Sequence, residues 1–405
     1  MKVSIFTPTH RSSFLPEIYK CLQAQTVQDW EWVIVYNNGA EVIGFNDERV
    51  VECIVDDMPE WVGPLKAYAC EVCTGEIFLE LDHDDLLHAT AVEEVLLAFK
   101  DPEVGFVYSN TAHTTDKWAP IERFNECYGW KYRVVEWDGH LVDEHISFEP
   151  SPESVSRIWF APNHLRAFRR STYEAVGGYN KEMRILDDLD LMCKLYCTTK
   201  FKHIDKALYL YRITGENTWL RFNDEIQNNV YRIYDQYVSA LFERFSDING
   251  LKKVELGGRI NAKAGYTTVD LFDADIIADL NEPWPFADSS VGVIRAMDVF
   301  EHLKDSIHTM KEVQRVLAPG GILLCQVPST DGRGAFQDPT HVSFWNINSF
   351  YYYTKQFFAQ YISTPVRFQT LRLYTTDMNP DMVCWVVAHL LNVKDGYRPC
   401  GLLEI

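Results

Sequence analysis

Three carboxylates fall within four positions, at Asp82, Asp84 and Asp85, in the stretch FLELDHDDLL at 78–87. Ionised carboxylates repel one another, and burying them unpaired is costly. The apolar residues before them have the character of a buried strand. Acids gathered at a strand end suit a hard divalent cation, Mg2+ or Mn2+, which favours carboxylate oxygens. An ion of that kind commonly clamps a diphosphate. The competing reading is a solvated acidic turn, with Asp85 as N-cap of a helix over LLHATAVEEVLLAF. Cys70 and Cys73 form the one C-x-x-C of the chain, CEVC. It has no second pair nearby and lies in a helical pattern, so a packed helix competes with zinc or redox use.

The acids need a scaffold, and the surrounding pattern supplies one. KVSIFTPT, EWVIVYNNG, RVVECIVDD and EIFLELD read as strands, while LPEIYKCLQAQ and GPLKAYACEVCTG read as helices. Strand–helix alternation predicts a mostly parallel α/β sheet. Ligands gather at the carboxyl ends of such strands, so TPTH, YNNG and LDHDD are expected to meet in one crevice. Residues 216–250 read as helical, closing at Asn249-Gly250. A new alternation then starts with KKVELGG, YTTVDLF, VGVIRAMD and GGILLCQVPS, with LAPGG as the turn before the last strand. This gives a domain over 1–215, a helical connector over 216–250 and a second domain over 251–405.

A chain of 405 residues predicts two or three domains. Lysine and arginine number 38 against 58 acids, a net charge of −20, which disfavours nucleic acid or an anionic membrane as partner. No apolar run approaches the ~18 residues of a membrane span. MKVSIFTPTH reads as a first strand rather than a secretory signal. Ten scattered cysteines fit reduced thiols in the cytoplasm.

Residues 1–215 resemble the family 2 glycosyltransferases of the GT-A fold. The resemblance is carried in order by VSIFTPTHR, QAQTVQDWEWVIVYNNG, CTGEIFLELDHDDLL, FRRSTYEAVGGYNKEMRILDDLDLMCKL and ALYLYRITGENT. It implies inverting transfer of a sugar from a nucleotide diphosphate to an acceptor hydroxyl. Asp82 and Asp84 then match the D-x-D signature and would hold Mn2+ or Mg2+. Asp188 matches the general base, in the pair Asp187-Asp188 where relatives carry Glu-Asp. Adjacent carboxylates raise one another's pKa, which suits a base; the bland reading of DDLD is a helix N-terminus favoured by its dipole. Thr7, Pro8, His10 and Arg11 would contact the nucleotide. Lys66 stands where relatives often have an arginine facing it, against an ordinary solvated helix face. Asn37 and Asn38 replace the usual acids that read the base, leaving a UDP-sugar as the default donor. Thr214 stands where many relatives carry histidine.

Residues from about 252 to 355 resemble class I S-adenosylmethionine-dependent methyltransferases, a Rossmann-like fold. KVELGGR, GYTTVDL, IIADLNEPWPFADSSVGVIRAMDVFEHL and EVQRVLAPGGILLCQVPS carry it. The resemblance implies cofactor contacts from Gly257, Gly258, Asp270 and Asp279. Glycines let backbone approach a ligand, and an acid at a strand end can take ribose hydroxyls. Only 270 − 258 = 12 positions separate the glycines from Asp270, little room for the usual loop and helix. Asp338, His341 and Trp345 lie in an aromatic-rich segment that reads either as a sugar-binding wall, with His341 as a base, or as core.

The combined expectation is a cytoplasmic bifunctional enzyme that glycosylates an acceptor and methylates a glycan or related product. The alternatives are a glycosyltransferase with a scaffolding second domain, a nucleotidyltransferase, and a non-catalytic nucleotide-sugar binding protein. TPTHR lacks the glycine-rich, arginine-bearing loop that a nucleotidyltransferase needs.

Overall fold

Both faces of the first sheet are buried, and its strands read accordingly as unbroken apolar runs. Trp30, Trp32, Ile34 and Tyr36 enter one core layer, and Val33 and Val35 the other. That alternation is the period of two along a strand. The computed structural model describes residues 1–55, 57–59, 61–258 and 262–394. It divides into two units, Met1–Leu241 and Phe242–Ile405.

In the first unit the sheet order runs Val50–Ile54, Trp30–Tyr36, Val3–Thr9, Ile77–Glu80, Arg166–Arg169, Val104–Thr115, Lys200–Ile213, Leu86–Leu87. The first four are mutually parallel, and Arg166–Arg169 is inserted antiparallel. Chain order reverses at Val3–Thr9, which lies between Trp30–Tyr36 and Ile77–Glu80. Such a reversal opens a crevice outside the carboxyl ends of the strands. Helices Leu15–Gln23 and Val62–Val72 stand where the apolar spacing placed them. Helix Asn223–Ile248 supplies Ile226, Ile233 and Leu241 to the first unit's core.

The fold departs from the competing reading of Asp85 as a helix cap and from the expected LAPGG turn. No helix starts at Asp85: Leu86–Leu87 pairs with Lys200–Ile213, and the helix begins at Ala91. Asp85 is fully buried and accepts the Arg212 backbone N–H at 2.7 Å. LAPGG is not a turn outside its strand. It lies within strand Leu317–Pro328, where Leu317 faces Val291 and Ile322 faces Val293. The surplus residues bulge out, with Gly320 at φ +76°.

The second unit orders its strands Ile276–Ile277, Thr267–Asp270, Lys252–Leu256, Val291–Met297, Leu317–Pro328, Trp385–Asn392, Phe368–Thr375. The first five are parallel, and Trp385–Asn392 runs antiparallel to both its neighbours. Order reverses at Lys252–Leu256, again a switch point. Among the described residues no helix separates this strand from Thr267–Asp270; Arg259, Ile260 and Asn261 of the loop lie outside the described residues. No described helix is long and apolar enough to cross a membrane.

One buried carboxylate ties together the starts of three neighbouring strands of the first sheet. Glu31 accepts from Lys2 Nζ at 2.6 Å, Thr74 Oγ1 at 2.6 Å, Ser4 Oγ and the backbone N–H groups of Thr74 and Gly75. Burial works against its charge, yet these donors hold it down at about 2. A depressed folded-state pKa gives stability that is present above the ordinary carboxylate range and lost as pH falls toward 2. Glu31→Ala takes the acceptor from the buried Ser4 hydroxyl and breaks the ion pair with Lys2, and is expected to cost about 1–3 kcal/mol in urea denaturation at pH 7, with the gap to wild type closing in acid.

Candidate functional site

The carboxyl ends of three parallel strands meet in a cleft of 370 Å³. Val3–Thr9 leads into His10 and Arg11, Trp30–Tyr36 delivers Asn37, and Ile77–Glu80 delivers Asp82 and Asp84. Asp188, in the first turn of helix Asp187–Thr198, lines the same cleft. Pro8, His10, Arg11, Asn37, Lys66, Asp82, Asp84 and Asp188 therefore share one space. Thr7 and Asn38 do not line it: the Thr7 hydroxyl accepts from Trp32 Nε1 at 2.9 Å, and Asn38 is exposed at φ +54°.

Of the three clustered acids, two face the cleft. Asp85 turns into the protein, so the expectation of three acids on one ion reduces to Asp82 and Asp84. Burial and the Asp82 charge push the Asp84 carboxyl up, the condition a cation would relieve. Thr214 Oγ1 is 3.5 Å from Asp84. His10 and His83 meet edge to face with ring centres 4.7 Å apart. Arg11 is engaged by Glu216 at 2.8 Å. Two carboxylates suit an ion that takes its other ligands from substrate phosphates and water.

Lys66 is not on a solvated helix face. It is buried, bonded to Glu80 and 3.3 Å from Asp187. Burial opposes its charge, but Asp187 and Glu80 raise its pKa well above that of a free lysine. The acid pair splits. Burial and the neighbouring Asp188 charge push Asp187 up to about 6, although Lys66 pulls the other way. Burial would lift Asp188 too, but the Arg166 guanidinium, at 2.6 Å, and Lys66 hold it below the usual carboxylate range. The expectation that adjacency raises the base's pKa is thus met at Asp187 and reversed at Asp188.

Arg166, His164 and Glu80 were missed. Arg166 stands directly across from Glu80 in the antiparallel register, and His164 Nε2 lies 3.9 Å from both Glu80 and Asp82. Only Glu80, a lone acid inside an apolar run, signalled a buried partner. Next to the cleft an aromatic cavity of 460 Å³ is walled by Phe124, Tyr128, Trp130, Trp159, Phe160 and Trp219. Phe124, Trp130, Trp159 and Trp219 also line the cleft.

In the second unit Gly257 ends strand Lys252–Leu256 at φ +66°, and a Cβ there would come within 2.5 Å of Val299 Cγ2. A Cβ on Gly258 would meet Glu255 Cγ at 2.6 Å. Asp270 ends the adjacent strand and accepts the Leu271 N–H at 2.6 Å, and exposed Leu271 and Phe272 follow it. Asp279 is exposed and holds Asn281 through its backbone and side-chain N–H groups. Trp345 is core, packed on Phe300 and Phe350. His341 lies beside Glu301 and His302.

A strand-end carboxylate pair, a buried acid pair and a crevice at a sheet reversal define a GT-A-type transferase unit, followed by a Rossmann-like one. Residues 4–177 match the sequence model described as glycosyl transferase family 2, and residues 229–362 match the one described as methyltransferase domain. Each match covers less than half of the chain, which is thus similar to a family 2 glycosyltransferase in its first part and to a methyltransferase domain in its second. The chondroitin synthase of Escherichia coli is 23% identical over 249 residues, covering 59% of this chain and 33% of that protein. The chondroitin synthase of Pasteurella multocida (strain Pm70) is 27% identical over 260 residues, 61% of this chain and 24% of that protein. The hyaluronan synthase of Pasteurella multocida is 26% identical over 270 residues, 62% and 25%. The chain thus spans at most a third of these relatives' length. Among solved structures, S. aureus TarS 1-349 in complex with UDP-GlcNAc aligns with a TM-score of 0.44 at 14% identity, over 61% of this chain and 73% of that one.

Proposed function

We propose that the first unit transfers a sugar from a nucleotide diphosphate donor to a glycan hydroxyl with inversion and with a divalent metal, and that the second methylates a glycan or related product. The observation that carries the first part is the convergence of Asp82, Asp84, Asn37 and Asp188 on one cleft. Asp82 and Asp84 would hold Mn2+ or Mg2+, which supplies positive charge to the leaving diphosphate when bound. Asn37, at its strand end, offers both a donor and an acceptor to the nucleobase, with UDP as the default carrier. His10 and Arg11 flank the phosphates. Asp188, ionised at neutral pH, accepts the proton of the attacking hydroxyl, and Arg166 orients its carboxylate. The shared tryptophans offer flat faces on which acceptor sugar rings stack.

For the second unit, the backbone at Gly257 and Gly258 approaches S-adenosylmethionine, Asp270 takes the ribose hydroxyls, and Asp279 borders the adenine. The working division is 1–215, 216–250 and 251–405. The free cysteines among the described residues suit a reducing cytoplasm. The short loop after Gly258 favours the second reading, a scaffolding domain.

A thermal-shift panel tests both sites, because a ligand bound only by the native state raises its apparent stability. A shift with a UDP-sugar only when Mn2+ is present, and a separate shift with S-adenosylmethionine, are expected. No response to any nucleotide sugar would remove the transferase reading; no response to S-adenosylmethionine would leave the scaffold.

Asp188's low pKa has a kinetic consequence. Arg166→Met removes the nearby cation, so the Asp188 pKa rises and less of it is ionised in mild acid. The acid limb of the kcat/KM profile should therefore move to higher pH by about one unit or more. An unmoved limb would show that Asp188 does not set it.

A further inference from the structure

Glu301, His302 and His341 each offer one ligand atom, and the three atoms lie within 4.8 Å of one another. Glu301 is 2% exposed, and its Oε2 has no hydrogen-bond partner. A buried carboxylate oxygen left in that state is costly. Among the described residues no lysine or arginine pairs with Glu301; its one ion-pair neighbour is His341, at 4.0 Å.

The histidine tautomer sharpens the point. His341 Nδ1 lies 3.0 Å from the Ala335 carbonyl. A carbonyl only accepts, so Nδ1 carries a hydrogen, and in the neutral ring Nε2 then bears a lone pair. Nε2 lies 4.0 Å from Glu301 Oε1, beyond the reach of a direct hydrogen bond, so the two atoms are near neighbours without bonding to each other. A backbone acceptor on the second ring nitrogen is the usual support of a metal-bound imidazole. His302 is held in the same way, with Nδ1 3.3 Å from the Thr340 carbonyl and 3.1 Å from its hydroxyl. Thr340 is fixed in turn by Asp338 through its amide and hydroxyl. The backbone N–H groups of Val342 and Ser343 both donate to the Glu301 carbonyl, which pins the His341 segment beside Glu301.

We propose that Glu301, His302 and His341 form a divalent transition-metal site whose open positions take the hydroxyl oxygens of a sugar. Two imidazoles and one carboxylate are a donor set for Zn, Fe, Co or Mn, with room for further oxygen ligands. Metal bonds of about 2.0–2.2 Å need only a modest closure of the three side chains. The site follows strand Val291–Met297, beside the sheet reversal, and Val299, two residues before Glu301, packs on Gly257. It thus adjoins the proposed cofactor position. The sugar as ligand rests on the methyltransferase reading; the metal site does not.

Zn2+ calorimetry on the full-length Asp84→Asn protein, in which the carboxylate pair of the first unit is disabled, isolates this site. Stoichiometric Zn2+ binding is expected, weakened at least tenfold by His341→Ala and by Glu301→Gln, with circular dichroism showing both variants folded. If either fails to fold, His302→Gln replaces it. Zn2+ binding that is absent, or unaltered by the folded variants, overturns the metal site. A titration of metal-free protein with S-adenosylmethionine separates the two readings. Cofactor binding without Zn2+ binding keeps the methyltransferase and removes the metal site. Zn2+ binding without cofactor binding keeps the metal site and removes the sugar as its ligand.

Discussion

Asp188→Asn is expected to lower kcat for sugar transfer by about 10²- to 10⁴-fold, the usual contribution of a positioned general base, while donor affinity changes little. Asparagine keeps the shape of the side chain and one acceptor, so the Leu189 N–H that Asp188 now receives at 2.8 Å retains a partner. What disappears is the group that takes the proton and half of the Arg166 ion pair. Arg166 keeps Glu80 at 4.0 Å, so the buried guanidinium is not left without an anion. Single-turnover kinetics with a saturating donor separate the loss of chemistry from any loss of binding. A near-normal kcat would move the role to Asp187, whose carboxyl, pushed up to about 6, is the next candidate.

Asp84→Asn is the second large effect. Asp84 and Asp82 are the two strand-end carboxylates left in the cleft once Asp85 has turned to Arg212. A divalent ion held by so few protein ligands depends strongly on each. Removing one charge also relieves the repulsion that lifts the Asp84 pKa, so the fold should tolerate the change. Mn2+-dependent UDP binding should fall about 100-fold or more, equivalent to ~3 kcal/mol. UDP binding that is equal with EDTA, with Mn2+ and in the variant would remove the metal.

The sequence made the strand-end chemistry legible because a parallel α/β sheet brings its carboxyl ends together whatever fills the loops. Asp82, Asp84 and Asn37 follow apolar strands that flank Val3–Thr9 on either side, at the reversal, and line one cleft. Arg166 was hidden because it reaches Asp188 from a short strand inserted antiparallel into the sheet. Nothing in local spacing predicts that its register sets it opposite Glu80. For Lys66 the competing reading of a solvated helix face fails, because helical periodicity says which face is apolar, not which polar residue is enclosed; Glu80 and Asp187 draw it inward. Asp85 misled for a related reason: an acid before a helical pattern is a good N-cap, but the buried Arg212 N–H competed for it. In the second unit the GG pair was readable. The Glu301–His302–His341 group was not, because its third member comes from a loop that backbone hydrogen bonds fold back onto Glu301.

The most direct measurement is proton NMR of an α-linked UDP-sugar incubated with the protein, Mn2+ and an oligosaccharide acceptor. The donor's α-anomeric signal should decay as free UDP and a β-linked product appear, and EDTA should stop both. Donor that persists across a panel of sugars and acceptors, turnover indifferent to EDTA, or a product that keeps the α configuration would contradict inverting, metal-dependent transfer at this cleft.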